Sequence, residues 1–380
     1  MAASGSNCVA SLMTARTAAA ISSIQVAGGG AEEILKIIFK PAKKNNSDFS
    51  AGKILHGTIT DSQRTIDEVV IGCESENSFS INCHGNPLIV ENILALLRNH
   101  KVEIVEPNEM MGFLGREKFG DKSIAIEAEI FSAQSETLDG AKIIAEQTKD
   151  GLFKTADSWL KTGDIDDIKK QAKQILADSR IAGYFINGVK IVIAGAPNSG
   201  KSTLFNFLCG RKNALVSDIA GTTRDWLSAK IKLKKVMAEF FDTAGVDEKL
   251  ITKNIIDAQS QSLTNELIKN CDLVLLVVDS TAWAKAHPTI PENELVVYNK
   301  CDLAGKLPAD VLKISAKTGV GVQELIAAIE QRLGVSDFDI KKTVCFTDRQ
   351  KNILEQIVSS GEKKQVQELI TKLLNEDFRV

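Results

Sequence analysis

Residues 195–202 read "GAPNSGKS", a glycine-rich stretch that leaves few options for the fold around it. Gly195, Gly200, Lys201 and Ser202 meet the pattern GxxxxGK[ST]. The apolar run "GVKIVIA" precedes it and "TLFNFLCG" follows, so it lies between a predicted strand and a predicted helix. In that context the glycines let backbone N–H groups surround a polyphosphate, and the helix dipole favours its negative charge. Lys201 then reaches the β- and γ-phosphates, and the Ser202 hydroxyl serves Mg2+. An accidental glycine turn would require neither flanking element.

Further motifs follow in chain order, each after a predicted strand. "DTAG" (Asp242, Thr243, Ala244, Gly245) ends "AEFF"; Asp242 suits the Mg2+ shell, and the Gly245 amide can sense a γ-phosphate. "NKCD" at 299–302 follows "LVVY" and supplies Asn299, Lys300 and Asp302 for base recognition. The Asp302 carboxylate accepts from the N1 and N2 groups of guanine, a donor pair that adenine lacks. "SAK" (Ser315, Ala316, Lys317) closes over the base. Between the first two motifs, "VSDIAGTTRD" at 216–225 falls where a switch belongs, with Ser217, Asp218, Ile219, Ala220, Gly221, Thr222 and Thr223 at the nucleotide. Thr223 is the candidate ligand of Mg2+ and the γ-phosphate. Asn198, Ser199 and Thr203 complete the GTP/GDP-binding set. Val246, directly after DTAG, cannot orient an attacking water, and no arginine finger can be named.

The rest of the chain is organised around this module. Residues 1–116 read as an α+β domain with strands at "IDEVVIG" (66–72) and "FSINC" (79–83). In that domain the helix "PLIVENILALLRNH" (87–100) places Leu88, Ile89, Asn92, Leu96 and Leu97 near one face. Residues 117–187 and 335–380 read as two parts of one helical domain, with a break at Gly163 and Asp164. Between them, 188–334 alternates strands with helices; strands are predicted at 189–194, 228–233, 236–241, 273–279, 295–299 and 311–315. The fold class is therefore α/β plus α+β multidomain: a Ras-like P-loop GTPase domain with a mostly parallel sheet, inserted in a helical domain.

Composition excludes several other classes. A net charge of −3 gives no global basic field for nucleic acid, and the scattered lysine pairs read as solvated surface. The seven cysteines form no CxxC, which fits reduced thiols in the cytoplasm. Cys73, Cys83, His84 and His56 fit no zinc spacing. The longest apolar runs, such as "LVLLVV" at 273–278, are too short to span a bilayer, so no membrane partner is expected.

Taken together, "PNSGKSTLFN", "ALVSDIAGTTRD", "DTAG", the "CHGNP" of "SFSINCHGNPLIVENILALL" and "VEPNEM" resemble the MnmE (TrmE) family of tRNA-modification GTPases over nearly the whole length. The resemblance implies a GTP hydrolase that works with the flavoprotein MnmG on tRNA, placing an aminomethyl-type group at C5 of the wobble uridine with one carbon drawn from a folate. It implies an N-terminal domain that binds the folate derivative and makes a homodimer. It also implies G domains that pair across the nucleotide with K+ in place of an arginine finger. Asn198 matches the asparagine that binds this ion, and Ser217, Ile219 and Thr222 match the positions that complete its coordination. A cation there stabilises transition-state charge.

Departures from the family pattern bear on the chemistry. Asn254 stands where the family carries a water-orienting glutamate, and Glu248 is out of register. The catalytic set is thus Lys201, Thr223 and, at the water position, Asn254. The family's folate-contacting arginine and glutamate align with Gln25 and Ser80, and its lysine with Lys122. Loss of charged partners weakens folate binding. The chain reads "LLNEDFRV" where the family carries a Cys-x-Gly-Lys tail, while Arg349 fits the family pattern. Two readings stand: an enzyme of wobble-uridine modification, or a divergent GTP-dependent switch that has lost the folate-dependent tRNA chemistry. A ribosome-assembly GTPase shares the nucleotide module but leaves the "CHGNP" domain unexplained.

Overall fold

Seven strands build the N-terminal sheet: β1 (Val9–Leu12), β2 (Ile21–Ala27), β3 (Phe39–Pro41), β4 (Ile54–Asp61), β5 (Arg64–Ser75), β6 (Ser78–His84) and β7 (Glu103–Ile104), in the order β3-β4-β5-β6-β2-β1-β7. Neighbours are antiparallel except β1 and β7. Period-two burial explains the sheet: β5 turns Val69, Ile71 and Cys73 inward and leaves Glu68 and Val70 outside. Ile24 and Val26 of β2 and Phe79 and Ile81 of β6 join the same core. The computed structural model describes residues 8–43, 48–62, 64–210, 214–215, 227–242, 269–281, 293–304, 308 and 311–375. They divide into two units, one within Met1–Ile130 and one within Phe131–Leu374.

The helix Pro87–Asn99 covers the core face, capped by Asn86, whose side chain accepts from the Leu88 N–H. Its buried stripe is Val90, Ile93, Leu94, Leu96 and Leu97. The predicted face is thus corrected: Leu88 is 74% exposed, and Asn92 also faces solvent. The 3.6-residue period runs from Val90, which places Leu88 in the first turn away from the sheet. The opposite face, at Val9 and Ala27, is covered by Met110 of the helix Pro107–Phe119.

In the second unit, six strands form the order β13-β12-β8-β11-β10-β9. They are β8 (Val189–Ala194), β9 (Ala214–Leu215), β10 (Leu227–Lys232), β11 (Met237–Asp242), β12 (Leu273–Asp279) and β13 (Glu294–Asn299). The four from β13 to β11 are parallel, and β10 and β9 continue the sheet antiparallel. Near-continuous apolar runs such as "VKIVI" suit central parallel strands buried on both faces. The sixth predicted strand, 311–315, is reduced to one bridge between Tyr298 and Lys313, and the chain turns at Ser315 instead.

Helices precede and follow this sheet. The break predicted at Gly163 and Asp164 is observed between Leu152–Thr162 and Ile165–Asn187, where Asp164 caps the second helix through the Asp166 N–H. The chain returns at residues 342–350 to the same helices. Gln147, fully buried, accepts from the N–H groups of Leu152 and Val344 at 3.0 Å each and donates to the Lys342 carbonyl at 3.1 Å. Lys342 pairs with Asp178 at 2.6 Å. Arg349, in the helix Asp348–Ser359, donates to the Lys372 and Leu373 carbonyls at 2.9 and 3.2 Å, satisfying the last turn of Lys363–Asn375. Among the described residues, no helix is long and apolar enough to cross a membrane.

Candidate guanine-nucleotide site

β8 delivers the chain to Gly195, and the helix Lys201–Cys209 begins six residues later. Two glycines are required by close approach. A Cβ on Gly195 (φ 149°) would lie 2.2 Å from the Val277 carbonyl oxygen. One on Gly200 (φ 95°) would lie 2.2 Å from Asn299 Nδ2. Lys201 is 4% exposed, and its ammonium donates to the carbonyls of Gly195 and Ala196 at 2.9 and 3.1 Å. The loop therefore curls around the Lys201 ammonium, the group predicted to meet phosphate. Ser202 opens the helix beside it, and Asp242 is buried at the end of β11, the strand next to β8.

The predicted base-binding elements converge on the same loop. Asn299 is 2% exposed; its Nδ2 donates to the Ser199 carbonyl at 2.9 Å and its Oδ1 accepts from the Ala316 N–H at 2.9 Å. One amide thus ties "NSGK", "NKCD" and "SAK" together. Ser315 is buried, whereas Asp302 and Lys317 are exposed. Lys300 donates to the Asn198 carbonyl at 2.6 Å and pairs with Asp279 at 2.7 Å.

Asp279 escaped the sequence reading. It ends β12 directly opposite Asn299 in β13, and a lone acid after an apolar run was its only signal. Burial pushes its carboxyl up, but hydrogen bonds from Lys300 and Thr281 outweigh that and hold it below the usual carboxylate range.

Several predicted site residues lie outside the described residues. These are Ser217, Asp218, Ile219, Ala220, Gly221, Thr222 and Thr223, then Thr243, Ala244 and Gly245, together with Val246, Glu248, Asn254 and the "DFRV" end. Of the positions matched to K+, Asn198 is described: it is exposed and holds φ 61°.

In the N-terminal unit, Gln25 and Ser80 are direct partners across β2 and β6, so the sheet brings together these two positions predicted for folate. Lys122 stands exposed before the helix Ser123–Gln134. Gln25 Nε2 donates to Glu74 Oε2 and Ser78 Oγ, both at 2.9 Å, which occupies both hydrogens of a 6% exposed amide. That arrangement does not fit the family's charged contact to a folate. A separate cleft of about 340 Å³ involves Ser11, Arg16, Glu91, Arg98 and Glu106, and its lining includes none of the three folate positions.

The thiols offer no activated nucleophile. Burial, reinforced by Glu33 and Asp67 respectively, pushes Cys8 and Cys83 up to about 11, and burial also raises Cys73. Among the described residues, no three His, Cys, Asp or Glu side chains are grouped to hold a metal. His84 Nδ1 is instead 2.8 Å from Asp67 Oδ1, and His56 Nε2 is 2.9 Å from Glu68 Oε1.

Comparison with known proteins places both units. Residues 8–111 match the family described as GTP-binding protein TrmE N-terminus, and residues 190–303 match that described as 50S ribosome-binding GTPase. The tRNA modification GTPase MnmE of Endomicrobium trichonymphae is 30% identical over 386 residues, which covers 87% of this chain and 82% of that protein. The MnmE of Aquifex aeolicus is 28% identical over 366 residues, 83% of this chain and 80% of its own. That of Prochlorococcus marinus strain SARG is 26% identical over 404 residues, 94% and 87% respectively.

Proposed function

The chain belongs to the MnmE family of tRNA modification GTPases, and on that premise we propose that this GTP hydrolase serves the modification of wobble uridines in tRNA. One observation carries the reading: a TrmE-type N-terminal sheet over residues 8–111 is joined in one chain to the nucleotide module. A ribosome-assembly GTPase gives no reason for that sheet. Relatives that align over four fifths of their own length are named for tRNA modification, which favours this reading over a bare switch.

The chemistry asked of the nucleotide module is positioning and charge stabilisation. Lys201 and the loop amides hold the β- and γ-phosphates against the helix N-terminus. Ser202, Asp242 and Thr223 are the residues for Mg2+; Asn198, Ser217, Ile219 and Thr222 are those for K+. Both ions supply positive charge against the charge that grows on the leaving phosphates. The oxygen donors of this set suit hard cations. Asn299, Asp302 and the Ser315–Lys317 turn select guanine. A homodimer and the flavoprotein MnmG are the proposed partners, in the cytoplasm.

Two measurements test this. In cells lacking the gene, mass spectrometry of tRNA should find wobble uridines without their C5 aminomethyl-type group; normal modification would sink the tRNA role. With the purified protein, GTP turnover should be at least several-fold faster in KCl than in NaCl at equal ionic strength. Equal rates would remove K+ from the mechanism.

A further inference from the structure

Two residues of the nucleotide site adopt positive φ without being glycine: Asn198 at 61° and Lys300 at 65°. Such a backbone costs of order 1 kcal/mol for a non-glycine residue and persists where surrounding contacts hold it. Here those contacts form one chain. The Asn198 carbonyl accepts from Lys300 Nζ at 2.6 Å, and the same ammonium lies 2.7 Å from Asp279 Oδ2. The other carboxylate oxygen, Oδ1, accepts from the Thr281 N–H at 2.9 Å and from the Thr281 hydroxyl at 2.7 Å. Asp279 is therefore fixed on both oxygens at the end of a parallel strand.

The Asp279–Lys300 pair is only partly exposed, 26% and 30% at the side chains, so solvent screens it less than a surface ion pair. Without the carboxylate, the neutral Asn198 carbonyl is the ammonium's one remaining partner in this chain of contacts, and no opposite charge balances it. An uncompensated cation would then turn toward water, and Asn198 would lose the bond that fixes its carbonyl.

We propose that Asp279 is a positioning residue of the guanine-nucleotide site: through Lys300 it clamps the Asn198 turn of the P-loop in its nucleotide-holding shape. It touches neither base nor phosphate in this role. The consequence is kinetic. A loop preorganised by Asp279 opens rarely, so bound nucleotide leaves slowly, whichever phosphate state it carries. Because Asp279 acts through the loop rather than through the base edge, GDP and GTP should be affected alike. The inference rests on the GTPase assignment above.

The test is a double-mutant cycle on the full chain, read by stopped-flow release of fluorescently labelled GDP and GTP. Asp279→Asn keeps the size and removes the charge. It should speed release of both nucleotides about tenfold, the equivalent of about 1.4 kcal/mol. Lys300→Met should speed release by at least as much. In the Lys300→Met background, Asp279→Asn should add less than twofold, since the group it positions is gone. Multiplicative effects of the two changes, or unchanged release from Asp279→Asn, would overturn the proposal. A Thr281→Val variant guards against misfolding: it leaves the carboxylate in place and should give a smaller acceleration with the same GDP-to-GTP ratio. Failure of the parent chain to bind either nucleotide would strike the GTPase assignment instead, so the two failures are distinguishable.

Discussion

Lys201→Ala should weaken GTP binding by about two to four orders of magnitude while leaving the fold intact. The ammonium is held in the mouth of the loop by the Gly195 and Ala196 carbonyls, at 2.9 and 3.1 Å, and is 4% exposed. A bound polyphosphate gains two charge-assisted contacts from it, each worth about 1.5–3 kcal/mol. Removal of both gives about 3–6 kcal/mol, and 1.4 kcal/mol is a factor of ten. Alanine leaves two loop carbonyls without this donor, but Ala196 is exposed and Gly195 partly so, and the vacated side-chain volume admits water in its place. Calorimetric titration with GTP, beside circular dichroism of the same sample, makes the comparison. Native affinity in the variant would show that the loop does not hold phosphate and would remove the basis of the assignment.

The nucleotide module was legible because its motifs are tied to strand ends. Apolar runs at 189–194 and 273–279 fold as predicted, since short, near-continuous, β-branched apolar runs suit central parallel strands buried on both faces. Predicted boundaries at 228–233 and 236–241 each fall one residue from those observed. The failure at 311–315 has a tertiary cause: Lys313 finds a single bridge to Tyr298 before Ser315 and Gly319 turn the chain.

The N-terminal sheet was harder to read. Strands such as Val9–Leu12 and Phe39–Pro41 are short and carry serine, lysine or proline, and their strand character comes from neighbours distant in sequence. The meeting of Gln25 with Ser80, and of Asp279 with Lys300, likewise depends on register between strands. Side-chain type supplies no register. For the same reason the ties made by Asn299 could not be separated in sequence from direct contact with a base.

Asp302 offers the sharpest test of base recognition, because one isosteric change should reverse the preference of the site. It lies in the turn after β13, held by bonds from the Cys301 N–H to the Ile314 carbonyl at 3.0 Å and from the Leu303 N–H to the Lys300 carbonyl at 2.9 Å. Those bonds are backbone only, and the residue is exposed, so Asp302→Asn should leave the turn in place. In the proposed site the carboxylate accepts from N1–H and the 2-amino group of guanine. An asparagine amide can keep the first bond, but turning its NH2 toward the 2-amino group sets donor against donor. Xanthine carries a carbonyl oxygen at that position and accepts from the same NH2. Loss of a charge-assisted bond together with a donor–donor clash costs about 3–4 kcal/mol, so GTP affinity should fall about 10²–10³-fold. Xanthosine triphosphate, repelled by the parent carboxylate, should gain and become the better ligand. Competition of GTP and xanthosine triphosphate for a labelled nucleotide reads both changes at once. If Asp302→Asn still binds GTP as the parent does, the carboxylate does not read the base, and guanine selectivity must come from Ala316 and its neighbours.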